Sequence, residues 1–299
     1  MKTKLISCMI ALLFIAVQSI EAKPKVLLRM NLEKGAAYQM TITSDNSIDQ
    51  QMMGQQMKVQ QKMEMGSTYK VLDVLPNKNY LIEYSFDKMK MDMDINGQKV
   101  SINSEDTTGN VVSRNMKELT SMKIKFTMDS QGKIQSIEGM DEYEKKVGNN
   151  QELGQILSMF ANADNFKASF GQYLGFFPDN EVEVGSKWDL PIKMPSMLNM
   201  DMNLHYTVND ITDDQVVLGV NSEVNMDSPI KNNGMEIQMK ATGTQTGTTK
   251  VDLKSGIAGT TDINQKFDMN MKMKNPQSGE DMEIPMIMNA ITKVSMVKI

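Results

Sequence analysis

The feature that most constrains the fold is a strict alternation of apolar and charged residues. In residues 89–95 every second residue is methionine or isoleucine, and the residues between them are lysine or aspartate. Residues 269–273 repeat the methionine alternation with polar residues between. In a β-strand, successive side chains point to opposite faces, so this pattern predicts strands with one apolar and one solvated face. We therefore predict a mainly β, antiparallel protein.

Turn signals separate the predicted strands. Strand-like runs at residues 26–30 and 38–43 come first, and Gly54 lies at the middle of a Gln- and Met-rich hairpin. Residues 76–79 and 130–132 have turn compositions. Asn96-Gly97 and Asn233-Gly234 favour two-residue hairpin turns, in which both positions need a positive φ. These signals predict a series of antiparallel hairpins.

One segment has helical rather than strand periodicity. Within residues 139–177, apolar residues follow helical spacing at residues 153–160 and again at residues 166–174. Asp164 is a candidate N-cap for the second helix, and Pro178 ends it. We predict a helical insert of two or three short amphipathic helices at residues 139–177.

The regions on either side of the insert are similar to each other. Residues 69–74 resemble residues 206–211, and a turn and an apolar strand follow each. We predict a first antiparallel β part at residues 23–138 and a second at residues 178–299. The two parts would be duplicated curved sheets, or open barrel-like halves, that pack together or join at an edge.

The first 22 residues predict export. Two lysines precede an apolar run at residues 5–17, and Ala22 provides a small residue for cleavage, as in a signal peptide. Residues 5–8 match a lipoprotein box locally, but most of the apolar run follows Cys8, so we expect cleavage near Ala22. The remaining chain would contain no cysteine, which excludes disulfides and thiolate sites. We expect a periplasmic or extracellular protein with no membrane-spanning segment after cleavage.

The signal peptide, the hairpin-rich first half, the helical insert and the passage at residues 177–188 resemble an uncharacterised family of exported β-rich proteins from Bacteroidota-type bacteria. That family is a domain of unknown function, so the resemblance implies no catalytic or binding residues. An antiparallel sheet with a helical lid is also distantly similar to the periplasmic carriers of lipoproteins. This second likeness concerns the fold alone.

Catalytic and nucleic-acid-binding functions have little support in the sequence. His205 is the only histidine, and its position among apolar strand residues predicts an ordinary strand residue rather than a base or ligand. The net charge of −5, with only two arginines, argues against nucleic acid. Residues 92–97 match the start of a calcium loop, but Asn103 stands where a glutamate is required. We predict no enzyme activity, no cofactor and no metal.

The 31 methionines are the main functional signal. They can be packing filler, the lining of a deformable cavity for a hydrophobic molecule, or soft ligands for Cu(I). We favour non-catalytic binding of a hydrophobic molecule or lipid, with Cu(I) binding through Met-x-Met clusters as the alternative. A structural or protein-interaction module of the cell envelope is the third candidate. The predicted ligand-binding residues are Met89, Met91, Met93, Met269, Met271, Met273, Phe166 and Phe170.

Overall fold

The computed structural model describes residues 25–52, 54–106, 111–120, 123–148, 163–174, 177–194, 200–232, 235–274 and 279–299. The predicted signal peptide, the helix at residues 153–160 and the Asn233-Gly234 turn lie outside these residues. Twelve strands form one antiparallel sheet. The prediction of a mainly β, antiparallel fold is therefore confirmed.

The strands are long, up to twenty residues. In chain order they are β1 (Ala37–Met52), β2 (Gln55–Val74), β3 (Tyr80–Ile95), β4 (Gln98–Asn103), β5 (Lys123–Met128), β6 (Ile134–Glu138), β7 (Lys187–Met194), β8 (Met200–Ile211), β9 (Gln215–Asn232), β10 (Met235–Asp252), β11 (Ala258–Lys274) and β12 (Asp281–Lys298).

A pairing between the two ends of the chain joins the halves of the sheet. The strand order is β6-β5-β3-β2-β1-β12-β11-β10-β9-β8-β7, and β4 pairs with β3. Strands β1 and β12 pair from Tyr38 with Lys298 to Gln50 with Met286. The two predicted β parts thus form a single continuous sheet, joined at an edge, and this sheet is not closed into a barrel.

The predicted turns form where positive-φ residues permit them. Gly54 has φ 78° between β1 and β2, and Gly132 has φ 84° between β5 and β6. At the β3–β4 hairpin, Asn96 and Gly97 have φ 51° and 90°, as a type I′ turn requires. The Asp94 carboxylate accepts a hydrogen bond from the Gly97 amide at 2.7 Å. The hairpin, rather than a calcium loop, thus accounts for these residues.

The sheet has an apolar inner face and a charged outer face. Alternation is clearest in β9, where Ser222, Val224, Met226 and Ser228 are buried and the residues between them are exposed. Paired residues of adjacent strands point to the same face, so the register assigns each side chain to a face. We use "inner face" for the side that carries Met226 and "outer face" for the side that carries Asp227.

Three helices lie among the described residues: α1 (Val111–Leu119), α2 (Met140–Gly148) and α3 (Ala163–Leu174). The last two belong to the predicted insert. Helix α1 was not predicted. It packs against β3 and β4, and its Met116 is fully buried.

Helix α3 shows that the sheet is strongly curved. It contacts both β6 and β7, the two ends of the strand order. In a flat sheet, ten strand spacings of about 4.8 Å would separate these strands by about 48 Å. A helix of 12 residues is only about 18 Å long. The inner face must therefore curve around α3.

The segment before β1 crosses one end of this curved sheet. The expectation of a strand at residues 26–30 was wrong, because only Val26 forms a bridge, to Val182. The Met30 amide instead bonds the Ser130 carbonyl at 2.7 Å, and the Asn31 amide bonds the Ser255 carbonyl at 2.8 Å. The segment thus ties together turns that are distant in sequence.

Candidate functional site

At one end of the sheet the inner face is covered by the segment before β1 and by α3. We call this region, which includes Leu28, Met30, Tyr69, Tyr84, Phe126, Phe166 and Phe170, the covered end. The rings of Phe166 and Phe170 are 4.2 Å apart. Tyr84 lies 5.1 Å from Phe170 and 5.5 Å from Phe166. These edge-to-face and tilted aromatic contacts form a continuous core.

The covered end is filled with side chains. The cavity found there, between Met30, Tyr69, Leu174 and Met296, has a volume of only about 10 Å³, which is about enough for one water molecule. Burial raises the pKa of Tyr69 well above its usual range, and burial also raises the pKa of Tyr206. Both hydroxyls thus remain neutral in a water-poor interior.

This packing places half of the predicted site residues in the core. Phe166 and Phe170 are each 1% exposed, Met89 is 3% exposed and Met91 is 8% exposed. Met93 is half-buried at the border of this core. These five residues stabilise the covered end, which leaves no room for a ligand beneath α3.

The other predicted triplet lies at the opposite end of the sheet. Strands β2, β1 and β12 separate β3 from β11. Met269, Met271 and Met273 point to the inner face as Met89 does, but through the pairings Met89 aligns with Thr261 rather than with Met269. Both triplets thus lie on one face of the sheet, but they do not form one cluster.

Met269, Met271 and Met273 instead join methionines of β9, β10 and β12. Cross-strand pairs include Met269 with Met286, Met273 with Met282, and Met239 with Met271. Side chains paired in this way have Cβ atoms about 5 Å apart. We call this set the methionine face. Its members are Met226, Met239, Met269, Met271, Met273, Met282, Met286 and Met288.

Most of the methionine face is only half-buried. Met226 and Met286 are buried, whereas Met239, Met269, Met271, Met273, Met282 and Met288 keep intermediate exposure. Unbranched thioether side chains change shape more easily than branched or aromatic ones. This end of the sheet is therefore both more accessible and more deformable than the covered end. We call it the open end.

A row of amide side chains separates the two ends on the inner face. The register aligns Gln61, Asn46, Ala290, Gln265, Gln245 and Ser222 across six strands. The Asn46 amide donates to the Gln61 carbonyl oxygen at 3.1 Å, and the Gln265 amide donates to that of Gln245 at 2.8 Å. We call Gln61, Asn46, Gln265 and Gln245 the amide row, which sequence periodicity alone did not reveal.

Charge is confined to the outer face in this part of the sheet. From the row of Ile42 to the open end, the described inner-facing positions of β1, β2 and β9 to β12 carry no charged side chain. The outer face carries ion pairs, such as Lys240 with Asp227 at 3.1 Å and Lys272 with Glu283 at 3.5 Å. The alternation in the sequence thus produces two chemically different surfaces.

The larger depressions lie on the charged side. Volumes of about 420 Å³ and about 520 Å³ adjoin each other on the outer face of β1 and β12, and both border Asp45 and Ile291. Their remaining lining is mostly polar or charged, including Lys62, Lys90 and Asn264. This lining carries charged side chains, which the described inner face of the open end does not.

His205 has a partner that the sequence did not reveal. Its Nδ1 lies 2.7 Å from an Asp189 carboxylate oxygen, across the β7–β8 pair on the outer face. The hydrogen bond to His205 lowers the pKa of the Asp189 carboxyl. Both side chains are at least half exposed. Within the described ranges, no three His, Cys, Asp or Glu residues are grouped as a metal site would require.

The sequence also matches a known family. A family model, the family of unknown function DUF6263, matches residues 77–258. The chain belongs to this family. The match runs from the first β part through the insert into the second, which confirms the predicted resemblance to a family of unknown function. The Bacteroidota origin and the analogy to lipoprotein carriers stay predictions.

Comparisons with other proteins add little. No curated protein matches the chain. Among solved structures, "Lipid-protein interactions in lipovitellin" matches with 8% identity and a TM-score of 0.46, over 89% of this chain and 25% of that one. This chain thus spans only a quarter of lipovitellin.

Bacterial outer-membrane proteins also match, with lower scores. The structure of OccK7 (OpdD) from Pseudomonas aeruginosa matches with 5% identity and a TM-score of 0.24, over 89% of this chain and 100% of that one. The translocator domain of the autotransporter NalP from Neisseria meningitidis matches with 4% identity and a TM-score of 0.19, over 89% and 90%. In the described part of this chain, no helix has the length and apolar character needed to cross a membrane.

Proposed function

We propose that this protein binds a hydrophobic small molecule or lipid, without catalysis, on the methionine face. The observation that carries the proposal is the inner face of the open end, which is uncharged over its described strands and lined by half-buried methionines. An apolar ligand would remove that surface from water, which favours binding by a free energy of about 25 cal/mol for each Å² of apolar surface buried. The predicted signal peptide places this binding in the periplasm or outside the cell.

The proposed site contains only part of the residues that we predicted from the sequence. Met269, Met271 and Met273 remain in it and are joined by their partners Met239, Met282 and Met286. Met89, Met91, Phe166 and Phe170 belong to the filled core instead. The ligand therefore lies beyond the amide row, whereas the described contacts of α1 and α3 are with β3, β4, β6 and β7.

Native mass spectrometry would test this proposal on protein purified without detergent from a periplasmic extract. We expect an added mass of a few hundred daltons that is lost on denaturation. Met271→Glu should abolish the added mass, because a carboxylate on the inner face opposes apolar binding. Lys272→Glu places the same residue one position along β11, on the outer face, and should leave it unchanged.

Fluorescence of N-phenyl-1-naphthylamine, an apolar probe, gives a second readout that does not depend on a ligand surviving purification. We expect saturable binding by the wild type and by Lys272→Glu. The proposal is wrong if the purified protein has a bare polypeptide mass and the wild type does not bind the probe. A structural or protein-interaction module of the envelope would then be the better interpretation.

A second candidate is Cu(I) binding, favoured by the adjacent pairs Met269 with Met286 and Met239 with Met271. Thioethers are soft ligands that select Cu(I). A triple variant, Met269→Leu, Met271→Leu and Met273→Leu, separates the two functions because it removes three of the eight sulfurs of the methionine face and retains apolar volume. Apolar binding should survive in it, whereas Cu(I) binding, measured against a chromogenic chelator, should be weakened.

A further inference from the structure

We infer that the ligand is an uncharged amphiphile whose polar head lies against the amide row and whose chain extends along the methionine face. This inference rests on the proposed function and specifies its ligand class. The amide row lies between the filled core and the methionine face, next to the hydroxyl pair Ser44 and Thr292 on its core side. Its position defines where a polar head and an apolar tail would each lie.

The amide row can bond a head group. Each primary amide has two N–H donors and a carbonyl acceptor. The bond from the Gln265 nitrogen to the Gln245 oxygen uses one donor and one acceptor site. The bond from Asn46 to Gln61 does the same. The Asn46 oxygen also accepts from the Ser44 hydroxyl at 2.8 Å, and the Gln61 nitrogen donates to the Met91 sulfur at 3.2 Å. Each of the four amides still has a donor and an acceptor site left, which suits hydroxyl, ester or amide groups.

The surroundings of the amide row disfavour an ionised head. Gln245 is 3% exposed and the neighbouring Ser222 is 2% exposed. A carboxylate or phosphate placed there would lose its hydration, and along the described strands no inner-facing charge beyond the row of Ile42 would compensate it. A glyceryl or amide head loses less hydration and regains hydrogen bonds. The site therefore favours uncharged head groups over ionised ones.

The filled core and the length of β11 determine in which direction the apolar tail can extend and how long it can be. On the other side of the amide row, the core leaves a cavity of only about 10 Å³, so the tail must extend toward Met273. From Gln265 to Met273, eight residues of β11 span about 27 Å at about 3.4 Å per residue. One lipid leaflet has an apolar thickness of about 15 Å. A single long acyl chain therefore fits along the strand.

Competition against N-phenyl-1-naphthylamine tests this with two lipids that share a chain. Monoolein has a glyceryl head, and oleate at alkaline pH has a carboxylate. We expect monoolein to displace the probe at about a tenfold lower concentration than oleate, because the carboxylate loses its hydration without a compensating charge. In the double variant Gln245→Leu with Gln265→Leu, monoolein should need an about tenfold higher concentration to displace the probe, because its head group loses one or two hydrogen bonds.

The double variant removes both partners of one bond, which is a change that folded proteins tolerate. Thr246→Leu, on the outer face of β10, is the matched control and should bind monoolein as the wild type does. Equal displacement by the two lipids in the wild type, or unchanged displacement by monoolein in the double variant, would overturn the inference while leaving the proposed function intact. If neither lipid nor the probe binds the wild type, the proposed function itself fails.

Discussion

The two ends of the sheet are built from the same strands but from different side chains. At the covered end, aromatic rings from β2, β3, β5 and α3 pack with almost no free volume. At the open end, β10, β11 and β12 present half-buried methionines. The comparison shows how one sheet can combine a rigid support with a deformable surface. Stability and binding should therefore respond to different substitutions.

The largest difference should appear when a side chain is truncated at each end. Phe170→Ala removes a ring that contacts Tyr69, Tyr84 and Phe166, and should lower the free energy of unfolding by about 4 kcal/mol. Met271→Ala should lower it by only about 1 kcal/mol, because that side chain is half-buried. Urea titration followed by circular dichroism measures both. Equal losses would contradict the distinction between the two ends.

The next effect concerns the segment that crosses the covered end. Gly256 has φ +69°, and a Cβ there would overlap the Arg29 carbonyl oxygen. Gly256→Ala should lower the free energy of unfolding by about 3 kcal/mol. Gly185 has φ +92° with nothing within 4 Å of its Cβ position, so Gly185→Ala should lower it by only about 1 kcal/mol. The same urea titration compares the two variants. Similar losses in the free energy of unfolding would show that the segment before β1 moves to accommodate the added methyl group.

Alkaline pH should weaken the covered end specifically. An unfolded tyrosine releases its proton near pH 10 (about its reference pKa), whereas burial raises the pKa of Tyr69 and Tyr206 in the folded state. The folded protein then binds more protons than the unfolded chain, so the free energy of unfolding falls as the pH rises above about 10. Urea midpoints at increasing pH should show this, with a shallower decline in Tyr206→Phe. An identical decline in both proteins would mean that Tyr206 ionises as readily when folded.

The smallest effect should come from the triple leucine variant of Met269, Met271 and Met273. Methionine and leucine have similar volumes, so the free energy of unfolding should change by less than about 1.5 kcal/mol. Thermal unfolding would measure this change. A larger loss would indicate that the thioethers are tightly packed, and the open end would then be less deformable than we describe.

The sequence predicts the strands well because their signals are local. Alternation in residues 89–95 fixes which side chains share a face, and Asn96-Gly97 fixes the hairpin. The separation of the two methionine triplets could not be predicted, because it depends on β1 pairing with β12. The amide row was missed for the same reason, since Asn46 and Gln245 align only through pairings of distant strands.

Helix α1 and the core position of Phe166 and Phe170 show a second limit of prediction from the sequence. Helical spacing correctly predicted that residues 166–174 form an amphipathic helix, but spacing cannot distinguish a core face from a ligand-binding face. To recognise a core face one must know that the rings pack on Tyr84 and Phe126, which lie in the first β part, distant in sequence. Helix α1 has only nine residues and lies between two strand-like regions, and we did not predict it from the sequence.

The pairing of β1 with β12 has a consequence for how the chain acquires its structure. β1 is synthesised well before β12, and the segment before β1 bonds the turn at Ser255. Neither contact can form until the chain has been synthesised through β10 and the turn that follows it. Such long-range contacts slow folding and leave unpaired strand edges exposed in the meantime. We expect the newly made chain to depend on a holding chaperone, and to aggregate readily if truncated before β12.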